Sequence, residues 1–250
     1  MPMKRVKLTI AVLLCAASII YATDYSKIES RATRFFNQQE WASASAMYDL
    51  MIDRKPSVCE NYGYAIVSAG MRNDTLAQIS LMNRSLNNHI PFDTLFQSVK
   101  KVSFSIGESS LYEDFLIRVK TQYQWLARGI DSYLLEYYVF RNNAQQTIIY
   151  SRIMLEGMPD NIKFLTCLAN GLMQNGQDSE AIDTYQRIIN INSNDYNALL
   201  QLANYFHLTA TTDESRMTAL NYFEQAQKIK STPYIEKVIS QLRNDINESK

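Results

Sequence analysis

Four prolines punctuate this chain at multiples of one length. Apart from Pro2 they are Pro56, Pro91, Pro159 and Pro233, separated by 35, 68 and 74 residues. Those gaps correspond to one, two and two units of roughly 34 residues, the last with a few residues added. Proline cannot continue a helix interior and forces the residue before it into an extended conformation. Regular proline therefore marks the ends of helical units. Composition agrees: with only 7 Gly and 5 Pro in 250 residues, the chain needs few turns. That favours helices over a sandwich of many short strands, and an apolar share of 46% is enough to fill a core.

The side chains follow the same period. Residues 162–195 carry Leu168, Ala169 and Leu172 on a first helix, Gly176 at a turn, then Ala181 and Tyr185 on a second helix. Small residues at Ala169 and Ala181 let two helices approach, and Leu172 and Tyr185 fill the space beside them. Gly176 can take the positive φ that ends a helix. Residues 196–231 repeat the series with Leu202, Ala203 and Phe206, then Ala219, Phe223 and Ala226. Four extra residues in LTATTDES predict a longer surface turn there. Residues 25–58 match again through Ala32, Phe35, Trp41, Ala44, Tyr48 and Pro56. Residues 128–161 keep Leu134, Tyr138, Met154 and Pro159 but place Thr147 where Ala is expected. Residues 59–91 keep Tyr62, Gly63, Gly70 and Ala77 with the register slipped by about two positions. Residues 92–127 retain only a helical period broken at Gly107.

This pattern resembles the tetratricopeptide repeat, strongly over about half of the chain and weakly over the rest. The resemblance implies an all-α fold, a right-handed superhelical solenoid of antiparallel helix pairs. Six repeats are expected, at 25–58, 59–91, 92–127, 128–161, 162–195 and 196–231, within a single domain spanning 23–250. Residues 234–247, with Ile235, Val238, Ile239 and Leu242 at helical spacing, predict a capping helix with one wet face.

The N-terminus has a different character. Lys4, Arg5 and Lys7 precede an uncharged apolar run of 13 residues, Leu8 to Ile20, and Ala22 offers a small residue for cleavage. Residues 1–22 are therefore expected to be a signal peptide, since a membrane span needs about 20 apolar residues. Leu14 before Cys15 is a poor lipidation context. Export to the periplasm or the exterior follows, with no stable membrane insertion after cleavage. The precursor balances 25 basic against 25 acidic residues; losing three cations leaves a balance of −3. Phosphate binding needs a basic excess, so nucleic acid is not an expected partner. Cys59 and Cys167 lie in separate repeats, and packed helices about 8–10 Å apart hold Cα atoms too far apart for a bridge. Two unpaired, buried thiols are expected.

No motif for catalysis emerges. GLMQNG at 171–176 has phosphate-loop spacing, but Gln177 and Asp178 stand where Lys and Ser or Thr are needed. His89 and His207 have no second ligand nearby in sequence, and no GxSxG, HExxH or CxxC occurs. Glu113 and Asp114 are adjacent, so a helix turns them about 100° apart. No enzyme, cofactor or metal site is expected. The aromatic run at 133–140 reads as interhelix filling.

By resemblance, the first helices line a concave groove that holds a peptide or a partner helix. Its expected contacts are Thr33, Phe36 and Asn37; Glu136 and Phe140; Lys163, Thr166, Asn170 and Gln174; and Asn197, Asn204 and His207. Asn170 and Asn204 are 34 residues apart and could bond a peptide backbone. Lys163 alone does not make the cation cluster with which some relatives clamp a carboxylate. The expectation is an exported, non-catalytic scaffold for protein partners in the cell envelope. The alternative is a carbohydrate- or small-molecule-binding envelope protein using Phe36, Phe140 and Trp125 as platforms.

Overall fold

The computed structural model describes residues 24–248, so the proposed signal at 1–22 lies outside the described residues. The described residues contain helices and no strand. They divide into two compact units, up to Ala127 and from Arg128.

The first unit runs α1 (24–37), α2 (Trp41–Arg54), α3 (Cys59–Met71), α4 (Thr75–Asn87), α5 (Phe92–Ser105) and α6 (Ser110–Gln122), then a 3-10 turn at Gln124–Leu126. The second comprises α7 (Ala127–Phe140), α8 (Ala144–Gly157), α9 (Ile162–Gln174), α10 (Asp178–Ile191), α11 (Tyr196–Thr209), α12 (Asp213–Ile229) and α13 (Pro233–Glu248).

A left-handed backbone residue explains why each of the first five pairs folds back. Gln39, Asn73, Gly107, Asn142 and Gly176 all have positive φ, between 51° and 78°. Each is followed by a residue whose N–H reaches five positions back. Glu40 donates to Phe35, Asp74 to Ala69, Glu108 to Ser103, Asn143 to Tyr138 and Gln177 to Leu172, at 2.9–3.0 Å. These Schellman-type closures satisfy carbonyls that the helix end would otherwise orphan. Their spacing of 34 or 35 residues is the repeat itself.

The second helices leave differently, except α4, where His89 (φ 59°) is left-handed and the Ile90 N–H reaches the Ser85 carbonyl at 3.0 Å. Lys55, Tyr123, Met158, Asn192 and Lys230 are C-caps with φ between −125° and −150°, each donating its N–H four residues back. Pro56 and Pro159 directly follow two of these extended residues, as proline requires. Pro91 is the N-cap of α5. Pro233 is the first residue of α13 rather than a turn residue; the first helical position is one that lacks an N–H partner anyway.

Two sequence expectations need correction. Counting five residues on from each left-handed turn gives Ala44, Gln78, Tyr112, Thr147 and Ala181, all buried. Residues 59–91 therefore do not slip in register; Gln78 occupies the small-residue position and Ala77 is only its neighbour. The Gln78 amide is satisfied inside, donating to the Ile66 carbonyl at 3.1 Å and accepting from Arg118. Gly70 lies three residues before the turn, where an added Cβ would come within 2.7 Å of the Gln78 amide nitrogen. Likewise, the insertion in LTATTDES does not lengthen a turn. It is helical: α12 has 17 residues against 14 in α10. A reciprocal Thr212–Ser215 capping box, with Asp213 and Glu214 in the first turn, starts α12 early.

In the second unit the core is built as successive layers. Leu135, Met154 and Phe164 form one, and Ile148, Leu168, Leu172 and Ala181 the next. Leu165, Tyr185 and Ala198 lead into Phe223, Ile235 and Ile239. Ala169, Ala203 and Ala219 are fully buried at close helix approaches. In the first unit Ala32 is likewise fully buried, and Tyr48 sits among rings. Arg84 on α4 bridges Asp49 and Asp53 on α2, and Arg152 on α8 bridges Glu180 on α10 at 2.7 Å. These pairs are exposed and contribute little each.

Candidate functional site

The first-helix residues expected to contact a partner meet different fates. Thr33 and Asn37 are exposed on α1, but Phe36 between them is buried. Its ring lies edge-on to Trp41, Tyr48 and Tyr64, with centroids 5.3, 6.2 and 4.9 Å away. The exposed position assigned to Phe36 is thus corrected: its ring belongs to an aromatic cluster joining α1, α2 and α3.

In the second unit, three of the expected residues converge. Glu136 and Phe140 on α7 and Lys163 on α9 border one cleft of about 300 Å³. Leu135, Val139, Phe164 and Cys167 make its wall apolar. Phe140 is 64% exposed and Val139 42%, which is unusual for large apolar side chains standing side by side. The Lys163 ammonium sits 3.0 Å from a Glu136 carboxylate oxygen. Lys163 is therefore paired with Glu136 at the rim of the cleft.

Cys167, expected to be buried, is half-buried because it borders this cleft. Burial raises its thiol pKa, and nearby Lys163 offsets only part of that. Cys59 is buried, and desolvation, reinforced by Glu60, pushes it up to about 11. Both thiols are free.

The two equivalent asparagines share a feature that the sequence did not reveal. Asn170 on α9 accepts a hydrogen bond from the Tyr185 hydroxyl at 2.5 Å. Asn204 on α11 accepts one from the Tyr234 hydroxyl at 2.8 Å. Neither amide simply faces water. Each carbonyl oxygen is engaged internally, which leaves the amide N–H groups as the outward donors. Gln174 is exposed at the end of α9, Asn197 is exposed near the start of α11, and Thr166 is half-buried, donating to the Ile162 carbonyl. His207 is half-buried, its ring edge-on to Phe223 at 6.0 Å.

Sequence reasoning missed Trp41 and Glu108. With Phe36, Asn37 and Gln39 they border a second cleft, of about 430 Å³, in the first unit. The period placed Trp41 in a core pattern, and Glu108 is 67 residues away in sequence, so nothing local joined them. Trp125, another proposed platform, is 73% exposed and edge-on to Phe92.

No protein-family model matches the chain, and no curated protein matches it. Among solved structures it is similar to the C-terminal part of a TPR repeat-containing protein of Cytophaga hutchinsonii. That pair shares 14% identity over 79% of this chain and 77% of the other, with a TM-score of 0.48. PilF of Pseudomonas aeruginosa shares 10% identity over 90% and 99%, at 0.46. The TPR2AB domain of yeast Sti1, in its pHSP90 complex, shares 11% over 89% and 99%, at 0.37. The 34-residue recurrence of helix pair and left-handed turn is independent of these likenesses. The fold is that of a tetratricopeptide-like helical repeat. In tetratricopeptide terms, the cleft between α7 and α9 lies between the first helices of consecutive repeats.

Proposed function

We propose that this protein is an exported, non-catalytic tetratricopeptide scaffold. On this reading it holds a protein partner against the first helices of its second unit. The observation that carries the proposal is the convergence of Glu136, Phe140 and Lys163 on one apolar cleft, with Cys167 in its wall. An exposed apolar patch with a polar rim is what a protein-binding site presents. The charge pair at the rim adds no net charge, so an extended segment with a bulky apolar side chain suits the cleft. Export rests on the basic and apolar pattern of residues 1–22. Location in the envelope, and the absence of nucleic acid and stably inserted membrane among its ligands, belong to the same proposal. The non-catalytic reading rests on the lack of any nucleophile–base or metal motif in the sequence.

The test is affinity capture from envelope extracts with wild-type protein and with Phe140→Ala. The alanine variant should lose a partner that wild type retains. Alkylation of Cys167 should slow when that partner is bound. A partner set unchanged in Phe140→Ala, with Cys167 still labelled at the free rate, would place the binding surface elsewhere.

A further inference from the structure

We infer that the cleft bordered by Trp41 in the first unit is a binding site for a neutral carbohydrate. It goes beyond the scaffold role and lies on other elements: the α1–α2 turn, the end of α3 and the α5–α6 turn. The cleft encloses about 430 Å³, within the size of small-molecule sites. Its apolar wall is Phe36, Trp41, Met71 and Ile106. Phe36 pins the Trp41 indole edge-on at 5.3 Å and 81°, and Tyr64 in turn meets Phe36 at 4.9 Å. The aromatic wall is therefore held rigid before any ligand arrives.

Three polar side chains complete the cleft: Asn37, Gln39 and Glu108. All three are exposed. The two amides each present a donor and an acceptor, and the carboxylate is a pure acceptor. Vicinal hydroxyls, which both donate and accept, match this set. A pyranose ring also offers a C–H face for an aromatic wall. The single carboxylate gives the lining a charge of −1, which disfavours an anionic ligand.

Gln39 supplies an independent observation. It has φ 60°, whereas the equivalent turns use Asn73, Gly107, Asn142 and Gly176. Gly and Asn tolerate the left-handed region; a longer side chain such as Gln is strained there. His89 is also left-handed (φ 59°), but His, like Asn, is among the residues enriched there; Gln39 is the ill-suited one, and it lines the cleft. Strain of this kind persists where a function uses the side chain.

The chain has two tryptophans, Trp41 and Trp125, so Trp125→Phe makes Trp41 the sole indole reporter. The full chain with this change would be titrated with D-glucose, D-galactose, D-mannose, N-acetylglucosamine and their disaccharides. At least one should give a saturable change in Trp41 fluorescence, with half-saturation on the order of millimolar. Asn37→Ala and Glu108→Ala should each weaken that response about tenfold while leaving helical circular dichroism unchanged. Gln39→Gly should raise the urea midpoint yet weaken sugar binding, a combination that a purely structural role for Gln39 would not produce. The inference is overturned if no sugar perturbs Trp41. It is equally overturned if the response survives in the Asn37 and Glu108 variants, or if Gln39→Gly keeps full affinity.

Discussion

Single residues here work mainly through backbone geometry and burial. Replacing Gln39 with Gly should stabilise the protein by about 1 kcal/mol, since a left-handed non-glycine residue carries a strain of that order. Urea denaturation of the two proteins measures it. Phe223 is fully buried beside Ala203, Ala219 and Ile239, so Phe223→Ala should lower stability by about 3–5 kcal/mol, read by the same melt. Two buried acids set an alkaline limit. Desolvation raises Tyr185 to about 12, and burial with Glu60 raises Cys59 to about 11. The unfolded chain releases those protons near the ordinary values of 10.0 and 9.0, before the folded protein does. Their contribution to stability is therefore complete below about pH 9 and is lost as pH rises through 11 to 12. Thermal melts stepped from pH 8 to 11 should show a falling midpoint. A midpoint independent of pH over that range would contradict the burial of both groups. Residue types that carry a motif were legible in the sequence, as Ala169, Ala181 and Tyr185 show. Gln78 was not, because a buried amide is tolerable only when tertiary partners such as the Ile66 carbonyl satisfy it.

At the scale of elements, caps and turns decide lengths. Asp74, Asn143, Asn161 and Asp195 each accept from the backbone N–H three residues on, starting α4, α8, α9 and α11. The Thr212–Ser215 box does the same for α12 and turns an insertion into nearly one extra helical turn. Thr212→Ala should cost about 1 kcal/mol and let the start of α12 fray. Hydrogen exchange should then quicken at residues 214–218 and stay unchanged in α10. Unaltered protection there would mean that packing, not the cap, holds the added turn. The sequence predicted a loop because four extra residues between two matched helices look like one; the cap signals were present in TDES but local to it. Elsewhere helix boundaries followed closely from turn residues, because a left-handed position can be read directly wherever it is Gly, as at Gly107 and Gly176. Gln39 carries no such mark.

For the whole molecule, the layered core of the second unit links α7 through α13 without a break. A fragment beginning at Arg128 should therefore fold alone, with a helical circular dichroism spectrum and a cooperative urea transition. A fragment lacking that transition would show that the layers need more of the chain. Period, composition and small-residue spacing determined by themselves that residues 24–248 are built from helix pairs about 34 residues long, because helix pairing is a local matter repeated along the chain. Which first-helix residues meet was decided only in three dimensions. Glu136, Phe140, Lys163 and Cys167 share a cleft because α7 and α9 pack side by side across the intervening α8. Phe36 was lost from the exposed set, and Trp41 and Glu108 were brought beside Asn37, for the same reason: which face of a helix stays open depends on neighbours supplied by other repeats, and no local pattern encodes them.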